Sequence, residues 1–590
     1  MGNFTLMRRA NKAQQQAVVN YYEQQIGKKA VILDAAEHVL IYCDKGFINE
    51  SHLVVEGGSF ACFSGTPILS GTKNISETIR GIFHRLLNGK FDPAEIRGSY
   101  AFVFYKPGNP IQLGHDPVKV ASVYADSKGS VISNSFIAAV LGTVQQLTLN
   151  KNALTELCLL GHITGNDSIY QEISKINNAS SFAIPGIQWI QNAGPGRQKQ
   201  SSNGFKEEVR SQLDTIESFF NDVAGFFDHY GVNLGISDGH DSRLLAGFFN
   251  KKLTRTSFYT FWRNKENKEI AISKQVAAVS SKELVMIPGK EVYDKTEAEL
   301  VQNFEGSFYL YDGLARLHCY FFDDFNTCSF LHKLADLNPL NATGVGGEEY
   351  RNDNHLQFKK VRPLDFFYKH IIDQSVPGIV KDATTKKRIA GYMISKFDNE
   401  LKEAGLSNNK DVYDRYQLHF FFNEYHNNAF RMNRNNGENR YMMHIAPYLD
   451  SKLVFNSYAS IPQQGISFSF QQEMIRQVSP ELAKIISVYG YPFSKGEPLK
   501  DKIKYLIKHL TPNAILVEQR MRLYNDQSGH KLLSTYPALR TYLQVIEELD
   551  LPLDVQKLFL HADRWPLLLS LGFSIRFFET LKNNIAFTNE

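Results

Sequence analysis

The chain has 590 residues, 43% of them hydrophobic and 21% charged, with a formal net charge of +4. That length predicts roughly two to four domains, and the balance of residues is that of a soluble globular protein. So small a charge on so long a chain speaks against a nucleic-acid surface or a membrane surface.

Residues 1–28 are polar and rich in Gln, Asn and Lys, which predicts no secretory leader and one helix (RRANKAQQQAVVNYYEQQ). Leu6 stands where a myristoylation signal needs Ser or Thr. From there to about residue 190 short apolar runs alternate with turns. Strands are predicted at Ala30–Leu33, His38–Cys43, Ser59–Phe63, Ser99–Tyr105, Ile111–Gly114, Val120–Ala125 and Ser130–Asn134, with a helix over Ser76–Leu87, giving an α+β sandwich. Cys43 and Cys62 lie in strand-like runs and read as buried. The five cysteines form no CxxC pair, which predicts neither a zinc site nor a disulfide framework and fits a reducing cytoplasm.

Residues 192–204 (NAGPGRQKQSSNG) read as a linker, followed by a helix over Lys206–Tyr230. The stretch GVNLGISDGHDSRLLAGFFN (Gly231–Asn250) then reads as strand, tight polar loop and helix start. Such a junction suits phosphate, because the first N–H groups of a helix and its dipole favour an anion. Ser237 and Ser242 would donate hydroxyls, Gly239 would admit the ligand closely, and Asp241 would hold magnesium. The same residues also suit a plain capped helix, with Asp241 or Ser242 as N-cap. His240 is read as touching phosphate or as facing water. A strand near Ser257–Trp262, a helix over Lys268–Ser280 and a strand at Leu284–Ile287 continue a doubly wound parallel sheet, in which ligands sit at the carboxyl ends of strands. NATGVGGEEYRN (Asn341–Asn352) is a second glycine loop, before charged residues. Residues 499–590 read as a helical extension, with helices at Leu506–Leu510, Tyr536–Leu551 and Leu567–Leu581.

These stretches resemble, in order, the parts of one family. SDGHDSR resembles the SGGxDS pyrophosphate loop of the ATP pyrophosphatases, except that Asp238 replaces a glycine. GVGGEEYR is similar to the second loop of asparagine synthetases, with Val345 where a Glu or Tyr handles the attacking amine. APYLD (Ala446–Asp450) resembles PFLD, although Met443 and Ile445 replace the Glu and Arg ahead of it. RGSYAFVFY (Arg97–Tyr105), LGHDPVKVASVYAD (Leu113–Asp126), SVISNSFIAAVLG (Ser130–Gly142) and IYQEISKINNASSFAIPG (Ile169–Gly186) resemble an N-terminal-nucleophile (Ntn) glutamine amidotransferase domain. The family is the asparagine synthetase / β-lactam synthetase superfamily.

The resemblance implies an α/β chain with an Ntn-type α+β sandwich over 1–191, a doubly wound parallel-sheet ATP-pyrophosphatase domain over 205–498 and a helical C-terminal extension over 499–590. It implies an ATP-dependent, AMP-forming amide-bond synthetase of biosynthesis. Ser237, Gly239, Asp241, Ser242, Gly346 and Gly347 would bind ATP, and Asp241 and Glu348 would hold Mg2+. The catalytic group is unassigned, with Glu349 and Lys495 as candidates. Glutaminase chemistry needs an N-terminal cysteine, and Met1-Gly2 offers none, so ammonia or a separate amine would be the acceptor. The partners expected are ATP, a small carboxylate and an amine, with neither nucleic acid nor membrane, and a homodimer or a pathway protein as a possible companion. The competing reading is a degenerate scaffold or nucleotide-binding partner.

Overall fold

The computed structural model describes residues 2–176, 184–190, 203–262, 267–290, 292–317, 321–322, 327–351, 360–408, 411–430, 432–465 and 468–587. Most of the expected linker at 192–204, and part of the Ile169–Gly186 segment, lie outside them.

Among the described residues the first part of the chain carries the strands β1 (Asn3–Arg8), β2 (Val31–Ala35), β3 (His38–Cys43), β4 (Leu53–Glu56), β5 (Ser59–Gly65), β6 (Ile68–Leu69), β7 (Ile96–Arg97), β8 (Tyr100–Tyr105), β9 (Ile111–His115), β10 (Tyr124–Asp126), β11 (Val131–Ser133), β12 (Ile173–Lys175) and β13 (Ile187–Trp189). Two sheets form from them, in the orders β12-β10-β11-β1-β3-β2 and β13-β9-β8-β5-β4, while β6 and β7 pair separately. The two-residue period of a strand sorts the side chains by face. Leu40 and Tyr42 of β3 pack with Phe60 and Cys62 of β5 between the sheets. Val39, Ile41 and Cys43 face outward onto helices α1 (Lys12–Ile26) and α3 (Phe136–Gly142). On the far side, Ala61 and Phe63 meet α2 (Ile75–Leu87), whose Ile75, Ile79, Ile82, Phe83 and Leu86 recur at helical spacing. The layers therefore run helix, sheet, sheet, helix.

The single helix expected over residues 1–28 is corrected here. Residues 3–8 form β1, which pairs with β3 along six residues and with β11. Both of its faces are covered, so burial rather than local propensity decides its conformation. The strand expected at Val120–Ala125 shrinks to β10, because the buried Asp116 carboxylate holds the preceding turn by accepting from Val120 N at 3.0 Å and Ala121 N at 2.9 Å.

Helix α4 (Lys151–Leu160) precedes β12, and α5 (Phe205–Tyr230) leads into a second, parallel sheet. Its strands are β14 (Val232–Gly235), β15 (Thr256–Trp262), β16 (Leu284–Pro288), β17 (Leu340–Ala342) and, beyond the small β18 (Lys360–Val361) and β19 (Tyr413–Asp414) pair, β20 (Met443–Ile445). The order is β16-β15-β14-β17-β20, with every described pairing parallel. The chain winds outward one way from β14 to β16, then restarts at β17 on the other side. The crevice between β14 and β17 is therefore the switch point at which such sheets bind ligands.

The last part of the chain does not stand apart. Leu567, Leu568, Leu571 and Phe578 of helix Trp565–Phe587 share one core with Met7, Val39, Ile41 and Ile137. The Phe578 and Phe136 rings lie 5.6 Å apart, edge to face. Buried polar ties also join early and late residues. Lys45 donates to Met442 O at 3.1 Å, and Arg97 reaches Asp222 at 3.0 Å and Asp450 at 3.8 Å. Cys43, Cys62 and Cys158 are buried free thiols. Among the described residues no helix is long and apolar enough to cross a membrane.

Candidate functional site

β14 ends at Gly235, and Ser237–Gly239 turn the chain into helix α6 (His240–Lys252). The turn is ordered by its own hydroxyls. Ser237 N donates to Ser242 Oγ at 3.1 Å, and Gly239 N donates to Ser237 Oγ at 3.3 Å. Gly239 has φ −82°, which any residue adopts, so its value is its small size rather than its conformational freedom.

The second loop leaves the neighbouring strand β17. Gly346 has φ +95°, and a Cβ there would come within 2.7 Å of Leu449, so this position requires glycine. Gly344 and Gly347 lie against Asp241, and a Cβ on Gly347 would collide with its carboxylate. Two stretches about a hundred residues apart in sequence thus meet backbone to side chain across the crevice.

Asp241 and Glu348 come together around an arginine. Arg351 Nη1 donates to Asp241 Oδ1 at 3.0 Å, and its Nη2 lies 3.4 Å from Glu348 Oε1. Gln471 Nε2 donates to the same Asp241 oxygen at 2.7 Å. The Arg351 guanidinium lies between the two acids, at the position expected for a magnesium ion. Among the described residues no group of three or more His, Cys, Asp or Glu could hold one. Asp238 adds further negative charge; burial raises its carboxyl pKa, opposed by Arg243. Burial and then Asp238 raise that of nearby Glu269.

The remaining expected residues have other surroundings. His240 faces neither phosphate nor water. It is buried, stacks on Phe493 at 4.2 Å and lies 3.2 Å from Gln472 Nε2 through its own Nε2. Burial, then the charges of Arg351 and Arg243, hold it far below the usual imidazole range, so it is neutral. Arg243 is buried and donates to the carbonyls of Ile485 and Ile486, both at 2.9 Å, clamping that segment to α6. Glu349 is wholly buried, and burial followed by Glu424 and Glu348 pushes its carboxyl well above the normal range. Both neighbouring acids and the lack of water favour its neutral form. Lys495 sits exposed on the short turn Phe493–Lys495. Val345 packs against Val118, Val120 and Ala446.

Sequence reasoning missed Gln471, Glu438 and the role of Arg351. Arg351 stands inside the quoted second loop, but nothing in its spacing shows which way it turns. Glu438 anchors a buried network behind β17: His444 Nδ1 at 2.6 Å, Arg434 Nε at 2.7 Å and Asn341 Nδ2 at 2.9 Å. Despite burial, His444 and Arg434 hold its carboxyl down at about 2.

No family model matches the chain. No curated protein matches it either. Among solved structures, the U34-tRNA thiolase NcsA from Methanococcus maripaludis, solved with its 4Fe-4S cluster, aligns at 11% identity over 59% of this chain and 82% of its own, with a TM-score of 0.20. A likeness that slight carries no argument here.

Proposed function

We propose that the chain is an ATP-dependent, AMP- and pyrophosphate-forming carbon–nitrogen ligase of the asparagine synthetase / β-lactam synthetase kind, with an Ntn-type sandwich ahead of a pyrophosphatase-type sheet. The observation that carries this reading is the ion cluster of Asp241, Glu348 and Arg351, built where two glycine loops meet at the switch point of a parallel sheet. In this reading the phosphates of ATP enter between the loops, against the N-terminus of α6. A guanidinium grips carboxylate and phosphate with the same two-pronged geometry. Arg351 therefore exchanges the two acids for phosphate as the nucleotide binds. A carboxylate oxygen of the substrate attacks the α-phosphorus and pyrophosphate leaves. The nitrogen of an amine then attacks the acyl carbon and AMP leaves. The amine attacks in its neutral form, and the proton its nitrogen loses leaves with the departing AMP or passes to water.

In this reading the amine is ammonia or a separate amine substrate. Gly2 is packed against Phe63 O and the Tyr42 ring, and a side chain at this position would collide with both. The sandwich serves as scaffold.

A second reading, a scaffold that holds nucleotide without turning it over, is favoured by the crowding of Asp238, Asp241 and Glu348 and by the positions of Glu349 and Lys495. The deciding measurement is ATP–pyrophosphate exchange driven by a panel of carboxylic acids, beside calorimetry with ATP. The ligase reading expects exchange with at least one acid, lowered on the order of a hundredfold in Arg351→Ala by loss of a charged phosphate partner. Saturable ATP binding without exchange for any acid establishes the scaffold; absence of both removes both readings.

A further inference from the structure

Away from the two glycine loops, a cavity of about 100 Å³ opens between the edge strands β12 and β13 and the helical half of the chain. None of its lining residues belongs to either loop. Its walls include Leu157, Leu314 and Leu571 and the rings of Tyr124, Trp189 and Phe420. Charged side chains share the lining with these apolar ones, Lys119, Lys175 and Arg316 among the bases and Asp167, Glu400, Glu403 and Glu424 among the acids, a mixture that suits a small molecule with both a charged and an apolar end.

The polar group that stands out is Lys175. It ends β12 directly opposite Tyr124 on β10, so the two side chains share a face. It is half-buried and lines the cavity. Among the described residues its ammonium makes no hydrogen bond or ion pair. Arg316, another lining residue, adds a second positive charge close by. Burial first, and then Arg316, lower the Lys175 ammonium to about 7, while the Glu400 and Asp116 carboxylates and Lys119 act on it more weakly, the two acids raising it and the lysine lowering it.

The cavity also holds acids, but most are already answered. Lys119 Nζ bonds Glu400 Oε2 at 3.1 Å, and Lys396 Nζ lies 2.8 Å from Asp167 Oδ2. Glu424 accepts from the Tyr458 hydroxyl, and burial raises its carboxyl to about 7. Glu403 is exposed at the mouth. Lys175 thus presents its ammonium to the cavity beside the apolar and aromatic side chains of the wall.

We propose that this cavity binds a small organic carboxylate with an apolar or aromatic body, whose carboxylate meets the Lys175 ammonium beside Arg316. The inference is independent of the nucleotide site and stands if that site proves inert. A charge-assisted hydrogen bond of this kind is worth about tenfold or more in affinity.

The test is calorimetry on the full-length chain with benzoate, hexanoate, benzylamine and inorganic phosphate as probes. The proposal expects saturable binding of benzoate or hexanoate, none of benzylamine, and a loss of about tenfold or more in Lys175→Met, which keeps the length of the side chain. A second measurement needs no variant. Bound benzoate or hexanoate should slow acetylation of Lys175 by acetic anhydride in the wild-type chain, read by peptide mass spectrometry, while saturating ATP should leave it unchanged. The proposal is overturned if neither carboxylate binds, if phosphate binds and they do not, if Lys175→Met binds them as well as wild type, or if they leave Lys175 labelling unaltered.

Discussion

Glu424 shows what a single buried charge does to this fold. Burial raises its carboxyl pKa to about 7, eased by Tyr458 and Lys119 and worsened by Glu400. Below the ordinary glutamate range, folded and unfolded chains both carry the proton, so the site costs nothing. Between the ordinary glutamate range and about 7 the unfolded chain gives up this proton while the folded chain keeps it, so stability falls across that window and levels off above it. Glu424→Gln keeps an acceptor for Tyr458 and removes the charge. It should raise the unfolding free energy by up to about 3 kcal/mol at pH 8 and leave it unchanged near pH 4, read from urea curves at the two values. An equal effect at both pH values would show that packing, not ionisation, is being measured. Arg351 makes the complementary point. Its charge is welcome because two carboxylates lie beside it, and sequence alone shows the three residues without showing that they touch.

The glycine loops are the elements that make the crevice. Each was legible from local signals: alternating apolar residues for the strand, small and polar residues for the turn, helical spacing after it. The order of the motifs along the chain was legible for the same reason. What lies between the loops was not, because it depends on contacts across a hundred residues or more: Gln471 arrives from a helix at Ser469–Val478, and His240 turns into a cage of Phe468, Tyr489 and Phe493. β1 escaped detection for a related reason, since its six residues become a strand only because two others pair with it. Gly347→Ala tests the contact between the loops. Its methyl group would overlap the Asp241 carboxylate, so the variant should lose about 1–3 kcal/mol of stability by overpacking and bind ATP more weakly than wild type. Unchanged melting and unchanged ATP affinity would mean that the loops do not pack this way.

At the scale of the molecule, the sandwich and the parallel sheet are fastened by buried charges. Arg97 reaches both Asp222 and Asp450, and the side chain of Asp450 is fully buried. Asp450 also accepts from Gly98 N at 3.1 Å. Arg97→Met strands that carboxylate without its cation, which should cost about 3–5 kcal/mol. Adding Asp450→Asn should recover part of the loss, and a double-mutant cycle in urea would show coupling; strictly additive losses would deny the tie.

The core shared by residues near 7 and residues near 578 has a consequence for how the protein is made. Helix α3 is buried on all sides in the finished molecule, and Phe578 supplies one of those sides. A ribosome adds roughly 5–20 residues each second, so tens of seconds separate the emergence of that helix from the arrival of its cover. During that interval the newborn chain carries an oily flank with nothing to close it, and a holding chaperone is the natural guardian of the wait.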